Sequence, residues 1–224
     1  YKEKLVYVYR SNKVMRLDKV EKLGIEPIAI LDIGAHSGQF YGWAKNTWPN
    51  SVIWMIEANK VHEQELKKLT GGNDDEYLIT TLGDKERKVT FYTRKDKPHT
   101  EGASYYKEAN YWDIPQLVLE IPQTLQRLDD LFTKDTIFEI VKMDTQGSEL
   151  DILRGGKNLI DRSSIVILEV SYVEYNLEAP LAEEVIEYMT EIGFDKYIEI
   201  GEHYSNEPQW KDITIQKDLC FYRG

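Results

Sequence analysis

Five apolar runs of strand length, residues 28–33, 52–56, 77–82, 138–143 and 165–170, constrain this chain more than any other feature. Most are continuous rather than alternating, and rich in Ile and Val. Such runs suit strands buried on both faces. Helix-length segments separate several of them, which implies right-handed βαβ units and a parallel sheet. Residues 40–48 follow a glycine turn and stop before Pro49, which cannot continue a helix. Residues 62–69 are amphipathic and end at Gly71 and Gly72. Residues 148–154 carry a capping pattern, with Ser148 as N-cap and Asp151 three positions on. Gly155 and Gly156 end that helix or kink its continuation towards Ile160. Apolar residues at 181, 185, 186, 189 and 192 predict a helix that stops at Gly193. Residues 194–200 and 218–222 read as a final antiparallel pair at one side of the sheet.

Residues 87–125 break this rhythm. Two strands, 89–93 and 116–121, flank an aromatic, polar stretch with Ser104, Tyr105, Tyr106, Tyr111 and Trp112. The segment reads as a β-rich insertion near the site. The expected fold is therefore α/β: a mostly parallel central sheet flanked by helices, one antiparallel C-terminal strand and the insertion. One domain spans 1–224, with 1–27 as an N-terminal extension and 28–224 as its core.

Four of the runs deliver a carboxylate near their C-terminal end: Asp32, Glu57, Asp144 and Glu169. In an open parallel sheet those ends share one edge, where ligands bind. Like charges gathered at a partly buried edge need compensation, from a cationic ligand or a metal. The first turn, Asp32-Ile33-Gly34-Ala35-His36-Ser37-Gly38, has G-x-x-x-G spacing. That is not the dinucleotide fingerprint G-x-G-x-x-G, and Asp32 would repel a pyrophosphate. Its glycines allow close backbone approach to a ligand, and the following helix offers free N–H groups. Glu57 lies where an acid can accept two ribose hydroxyls.

The net charge of −11 excludes a phosphate-backbone partner or an anionic membrane surface as a natural ligand. The basic runs at 85–88 and 94–97 carry intervening acids and read as a solvated hairpin. A single cysteine, Cys220, permits no disulfide within the chain. No run approaches the roughly 18 apolar residues of a membrane helix, and residues 1–10 lack a signal-peptide core. These features point to a cytoplasmic protein. His62, His99 and His203 have no companions at metal-ligand spacing along the chain.

The segment IVKMDTQGSELDILRGG, residues 140–156, is the most specific. It resembles the hallmark of the FkbM family of S-adenosylmethionine (SAM)-dependent methyltransferases, through Lys142, Asp144, Gln146, Gly147, Glu149, Leu153 and Gly155. LDIGAHSGQF resembles the family's glycine loop, IEAN its second strand end, TLGD its third-strand turn, LDDLF the segment before the hallmark and ILEVS the fifth strand. His36 stands where the family commonly has Asn, and Ala58 where it often has Pro.

The resemblance implies a class I, Rossmann-like fold and O-methylation of a hydroxyl on a small molecule, sugar or glycan. It places the cofactor against Asp32, Gly34, Ala35, His36, Gly38, Glu57, Ala58, Asn59, Gly83, Asp84 and Asp144. Asp144 is the first candidate for catalysis, as general base, as ligand of a divalent metal or as partner of the cofactor's ammonium. Glu169 is its natural companion, and His36 a further base candidate. Two carboxylates are too few to predict a dedicated metal site. Lys142, two residues before Asp144, reads as half of a buried ion pair. Gln146, Glu149, Ser104 and Tyr105 are candidates for the acceptor side. The rival readings are a SAM-binding module without turnover and a nucleotide-dependent oxidoreductase on a similar sheet.

Overall fold

The computed structural model describes residues 15–109, 114–204, 210 and 213–224; Tyr111, Trp112 and residues 1–10 lie outside them. The elements run α1 (Leu17–Glu21), β1 (Ala29–Ile33), α2 (Gln39–Thr47), β2 (Val52–Glu57), α3 (Glu63–Leu69), β3 (Glu76–Ile79), β4 (Thr81–Leu82), β5 (Arg87–Arg94) and β6 (Val118–Gln126). They continue as α4 (Leu128–Leu131), β7 (Ile140–Met143), α5 (Glu149–Gly155), α6 (Lys157–Ile160), β8 (Ile165–Ser171), α7 (Ala182–Glu191), β9 (Lys196–Tyr204) and β10 (Thr214–Tyr222).

Seven strands form one sheet in the order β3-β2-β1-β7-β8-β10-β9. β3, β2, β1, β7 and β8 pair in parallel, and β10 pairs antiparallel with both β8 and β9. The chain order reverses beside β1, whose neighbours are β2 and β7. That switch point is where an open α/β sheet leaves a crevice beyond its strand ends.

The period-2 alternation of side chains explains why the runs are apolar throughout. From β1, Leu31 and Ile33 enter one core cluster with Leu150, Leu153 and Met189 of the helices on that face. Ile30 enters the other cluster, with Val20, Phe40 and Leu66 of the opposite helices. Each fully buried Ile or Leu stabilises the fold by about 1.5–3 kcal/mol. All seven residues of β8 are buried, so its apolar run is held by layers on both sides.

The expected third strand, 77–82, is two strands. β3 pairs with β2 at the sheet edge, whereas Thr81 and Leu82 pair with Leu125 and Gln126 of β6. The chain leaves the main sheet at Thr80 and enters a small sheet of order β4-β6-β5. The insertion is thus β-rich as expected, and its second strand runs further, to Gln126. The helix after β7 breaks between α5 and α6 at Gly156, where a Cβ would overlap the Leu128 side chain. Among the described residues, no helix is long and apolar enough to cross a membrane.

Candidate active site

The loop after β1 is pinned from both sides. Gly34 and Ala35 donate their N–H groups to the Ile56 carbonyl at 2.8 and 3.1 Å, and Asp144 N donates to Ile33 O at 3.1 Å. Gly34 has φ +74°, and a Cβ there would overlap the Asp144 carbonyl. Glycine is therefore required both by conformation and by the close approach of β7. His36 follows with φ +51°. His, like Asn, tolerates this left-handed region better than most residues. Gly38 caps α2 at φ +90°, against the Leu69 side chain.

Asp32 is fully buried beneath this loop and pairs with Lys142 at 2.9 Å. The lysine also donates to the Gly34 carbonyl at 3.1 Å. The expected ion pair exists, and it corrects the picture of four acids facing a ligand: Asp32 neutralises Lys142 inside the sheet and does not line the cavity.

A cavity of about 920 Å³ opens beyond the strand ends. Gly34, Ala35, His36, Glu57 and Ala58 line one side of it, Asp144, Gln146 and Glu169 another, and Ser104 and Tyr105 reach it from the insertion. Its size falls within the range of small-molecule and cofactor sites. Glu57 is 8% exposed and accepts from His36 N at 2.7 Å and Asn59 N at 2.6 Å, one bond to each oxygen. Burial pushes its carboxyl above the usual range, opposed by those two N–H donors. Each oxygen keeps a lone pair for a further donor, so the residue fits a vicinal diol. Asn59 stands behind it and donates its amide to Pro98 O at 2.9 Å.

The other end of the cavity is a polar network. The Gln146 amide donates to Asp144 Oδ1 at 2.9 Å and to Glu169 Oε2 at 2.6 Å, bridging two carboxylates. Gln146 has φ +55°, a left-handed conformation for a residue with a Cβ. Such strain is characteristic of functional loops. Gln216 donates to the same Glu169 oxygen at 3.0 Å. His203 Nε2 lies 3.0 Å from Asp218 Oδ2 and 3.7 Å from Glu169 Oε1. The β8–β10 register sets Asp218 opposite Glu169, and Gly201 leaves room for the aspartate side chain. His203 Nε2 thus sits between two carboxylates that the antiparallel register sets opposite one another.

Glu149 holds the Gln146 loop from behind. It accepts from Thr145 N at 2.6 Å, Thr145 Oγ1 at 3.0 Å and Gly147 N at 3.0 Å. Burial raises its carboxyl to about 7 against those donors. The expected cap of α5 does not form: Ser148 Oγ donates back to Thr145 O at 3.2 Å. Asp151 is taken instead by tertiary partners. Its Oδ2 accepts from the hydroxyls of Tyr105 and Tyr106, each at 3.0 Å, and from Arg87 at 3.4 Å. Burial beside Asp151 raises the pKa of both phenols.

Gly83 and Asp84 do not line the cavity. Gly83 packs against Leu125 and Gly155, and Asp84 pairs with Arg87 at 3.3 Å. Gly38, Asn59 and Glu149 likewise stand behind the lining rather than in it. The lining includes residues that sequence reasoning missed: Glu108, Tyr175, His203 and Gln216. The Tyr175 hydroxyl donates to Glu108. One signal was present in the sequence: Asp218 precedes the apolar run 219–222, the end that an antiparallel strand brings to the same edge as the other acids.

A family profile described as the methyltransferase FkbM domain matches residues 32–196. No curated protein sequence matches the chain. Among solved structures, the N-terminal domain of EvdMO1 with SAH bound is 10% identical with TM-score 0.50, over 93% of this chain and 80% of that one. TehB from Haemophilus influenzae is 11% identical with TM-score 0.50, over 92% and 62%. A TehB-like SAM-dependent methyltransferase from Corynebacterium glutamicum is 8% identical with TM-score 0.48, over 93% and 87%. At such identities the two matches with TM-score 0.50 speak for the fold alone; the profile covers well over half of the chain, from the first strand end to β9. The chain therefore belongs to the FkbM methyltransferase family and is a SAM-dependent methyltransferase.

Proposed function

We propose that this enzyme methylates a hydroxyl group of a small molecule, a sugar or a glycan. The observation that carries the reading is the polar end of the cavity, where Asp144, Gln146, Glu169 and His203 crowd against the glycine loop. The bound cofactor supplies a methyl group already activated on sulfonium sulfur. The protein's part is then to position the acceptor and to take its proton.

Glu57 would accept the ribose hydroxyls, with His36 N and Asn59 N keeping its two oxygens in place. The loop at Gly34–Gly38 would let the backbone approach the methionine portion closely. Asp144 is the proposed general base or ammonium partner, with its carboxylate held by the Gln146 amide. That amide keeps Asp144 and Glu169 close without carrying a charge of its own. His203, backed by Asp218, is a second candidate for the proton, because imidazole suits proton transfer near neutral pH. Tyr105 and Glu108 offer an aromatic face and a carboxylate on the insertion side, a combination suited to a polyhydroxylated acceptor.

The test is a panel of sugars, glycosides and phenols incubated with methyl-labelled SAM. Labelled O-methyl product is expected from the wild type. Asp144→Asn should lose at least about a hundredfold in rate while keeping its circular dichroism, in line with the usual contribution of a positioned base. Full activity of that variant, or label found only on nitrogen, would defeat the proposal.

A further inference from the structure

Three histidines that lie far apart in sequence meet beside the cavity. The His36 and His62 rings are 3.9 Å apart between centroids, and those of His62 and His99 are 5.1 Å apart. His62 precedes α3, whereas His99 belongs to the connection after β5. His62 and His99 have no companions at metal-ligand spacing along the chain, but the fold brings ligand atoms of His62, Glu65 and His99 within 4.8 Å of one another.

Two features of this cluster are not explained by packing. His62 is 1% exposed, yet neither of its ring nitrogens has a hydrogen-bond partner. Glu65 Oε2 is also buried without one. A buried polar atom left unpaired is costly, of order 1–3 kcal/mol. Burial and the neighbouring His36 and His99 hold the His62 imidazole down to about 4.

We propose that His62, Glu65 and His99 bind a divalent transition-metal ion of the zinc type, which ties the loop carrying His99 to the start of α3. Two imidazoles and one carboxylate are a known zinc ligand set that leaves a fourth position for water. Mg²⁺ and Ca²⁺ favour all-oxygen sites and fit these donors poorly. Tetrahedral bonds of 2.0–2.1 Å would place donor atoms about 3.4 Å apart, so the donors must close by no more than about 1.5 Å. His99 is exposed and Glu65 half-buried, so both have freedom to do so.

The loop is already drawn towards this point. His36 Nε2 lies 3.1 Å from the His99 carbonyl, and Asn59 donates to Pro98 O. Lys97, Pro98, His99 and Thr100 all form part of the cavity wall. A bound ion would fix that wall beside Ala58 and Glu57. The role assigned to the ion is positional: it would hold the His99 loop against the start of α3.

The experiment strips the full chain with chelator and titrates it with Zn²⁺, then with Co²⁺. One equivalent of zinc should bind with micromolar or tighter affinity and raise the melting temperature. Co²⁺ should give the visible absorption of a tetrahedral site. His99→Ala, an exposed change that leaves the core untouched, should weaken zinc at least tenfold, and His62→Gln should do the same. His203→Ala should leave it unchanged, separating this site from the Glu169, His203 and Asp218 group. A stripped chain that takes up no zinc overturns the proposal. So does binding that survives both His99→Ala and His62→Gln, or that is abolished by His203→Ala.

Discussion

Lys142→Met should be among the most destabilising single changes on the strand-end edge. The side chains of Asp32 and Lys142 are 0% and 5% exposed, and their charged atoms are 2.9 Å apart. At an effective dielectric near 20, the attraction at that distance is about 6 kcal/mol. Most of it offsets the cost of removing both charges from water. Methionine fills the space of the lysine stem but leaves the Asp32 carboxylate without its cation and the Gly34 carbonyl without a donor. Breaking a buried pair in this way costs about 3–5 kcal/mol. For a protein of this size that corresponds to a fall of roughly 6–20 °C in melting temperature. Urea unfolding, with the slope checked against wild type, gives the free energy directly. Asp32→Asn combined with Lys142→Met removes the stranded charge and should recover at least half of the loss. A single variant that loses less than about 1 kcal/mol, or a double variant no better than the single, would refute this reasoning.

Glu57→Ala should weaken S-adenosylhomocysteine binding more than tenfold, at least about 1.4 kcal/mol; unchanged affinity by calorimetry would remove its ribose role. Gly34→Ala forces a side chain into φ +74° and against the Asp144 carbonyl. It should cost about 2–5 kcal/mol from strain and overpacking together, and an unaltered melting temperature would contradict that. Glu149 is held near 7 in the fold against an ordinary 4.5. Its contribution to stability is therefore complete below about pH 4.5 and is lost as pH rises through about 7. The stability difference between wild type and Glu149→Gln should shift against the wild type across that window, by up to about 3 kcal/mol. A difference independent of pH in urea melts would rule the titration out.

The sheet was legible because β1, β2, β7 and β8 are apolar on both faces, and a parallel sheet covered by two helix layers demands that pattern. β3 was harder to bound. Its residues alternate in exposure at an edge, and Thr81 and Leu82 find better partners in β6 than a continued pairing with β2 offers. Local rules also failed at Ser148 and Asp151, since a capping pattern carries no record of two tyrosine hydroxyls arriving from 45 and 46 residues away. The strand-end acids were visible individually, but not which would turn inward. Asp32 does so because Lys142 occupies the paired position on β7 in the sheet register. His203 looked isolated along the chain for a similar reason: Asp218 and Glu169 become its neighbours only through antiparallel pairing.

The junction at Asp151 bears on any attempt to redesign this enzyme. One carboxylate oxygen receives two phenols and a guanidinium from the segment that forms the far wall of the cavity. Grafting another loop in that place, to admit a different acceptor, would strand an acid that is 8% exposed unless equivalent donors came with it. Loop exchange and core stability are therefore coupled here. A successful swap would carry the tyrosine pair along, or replace Asp151 by an apolar residue in the same step.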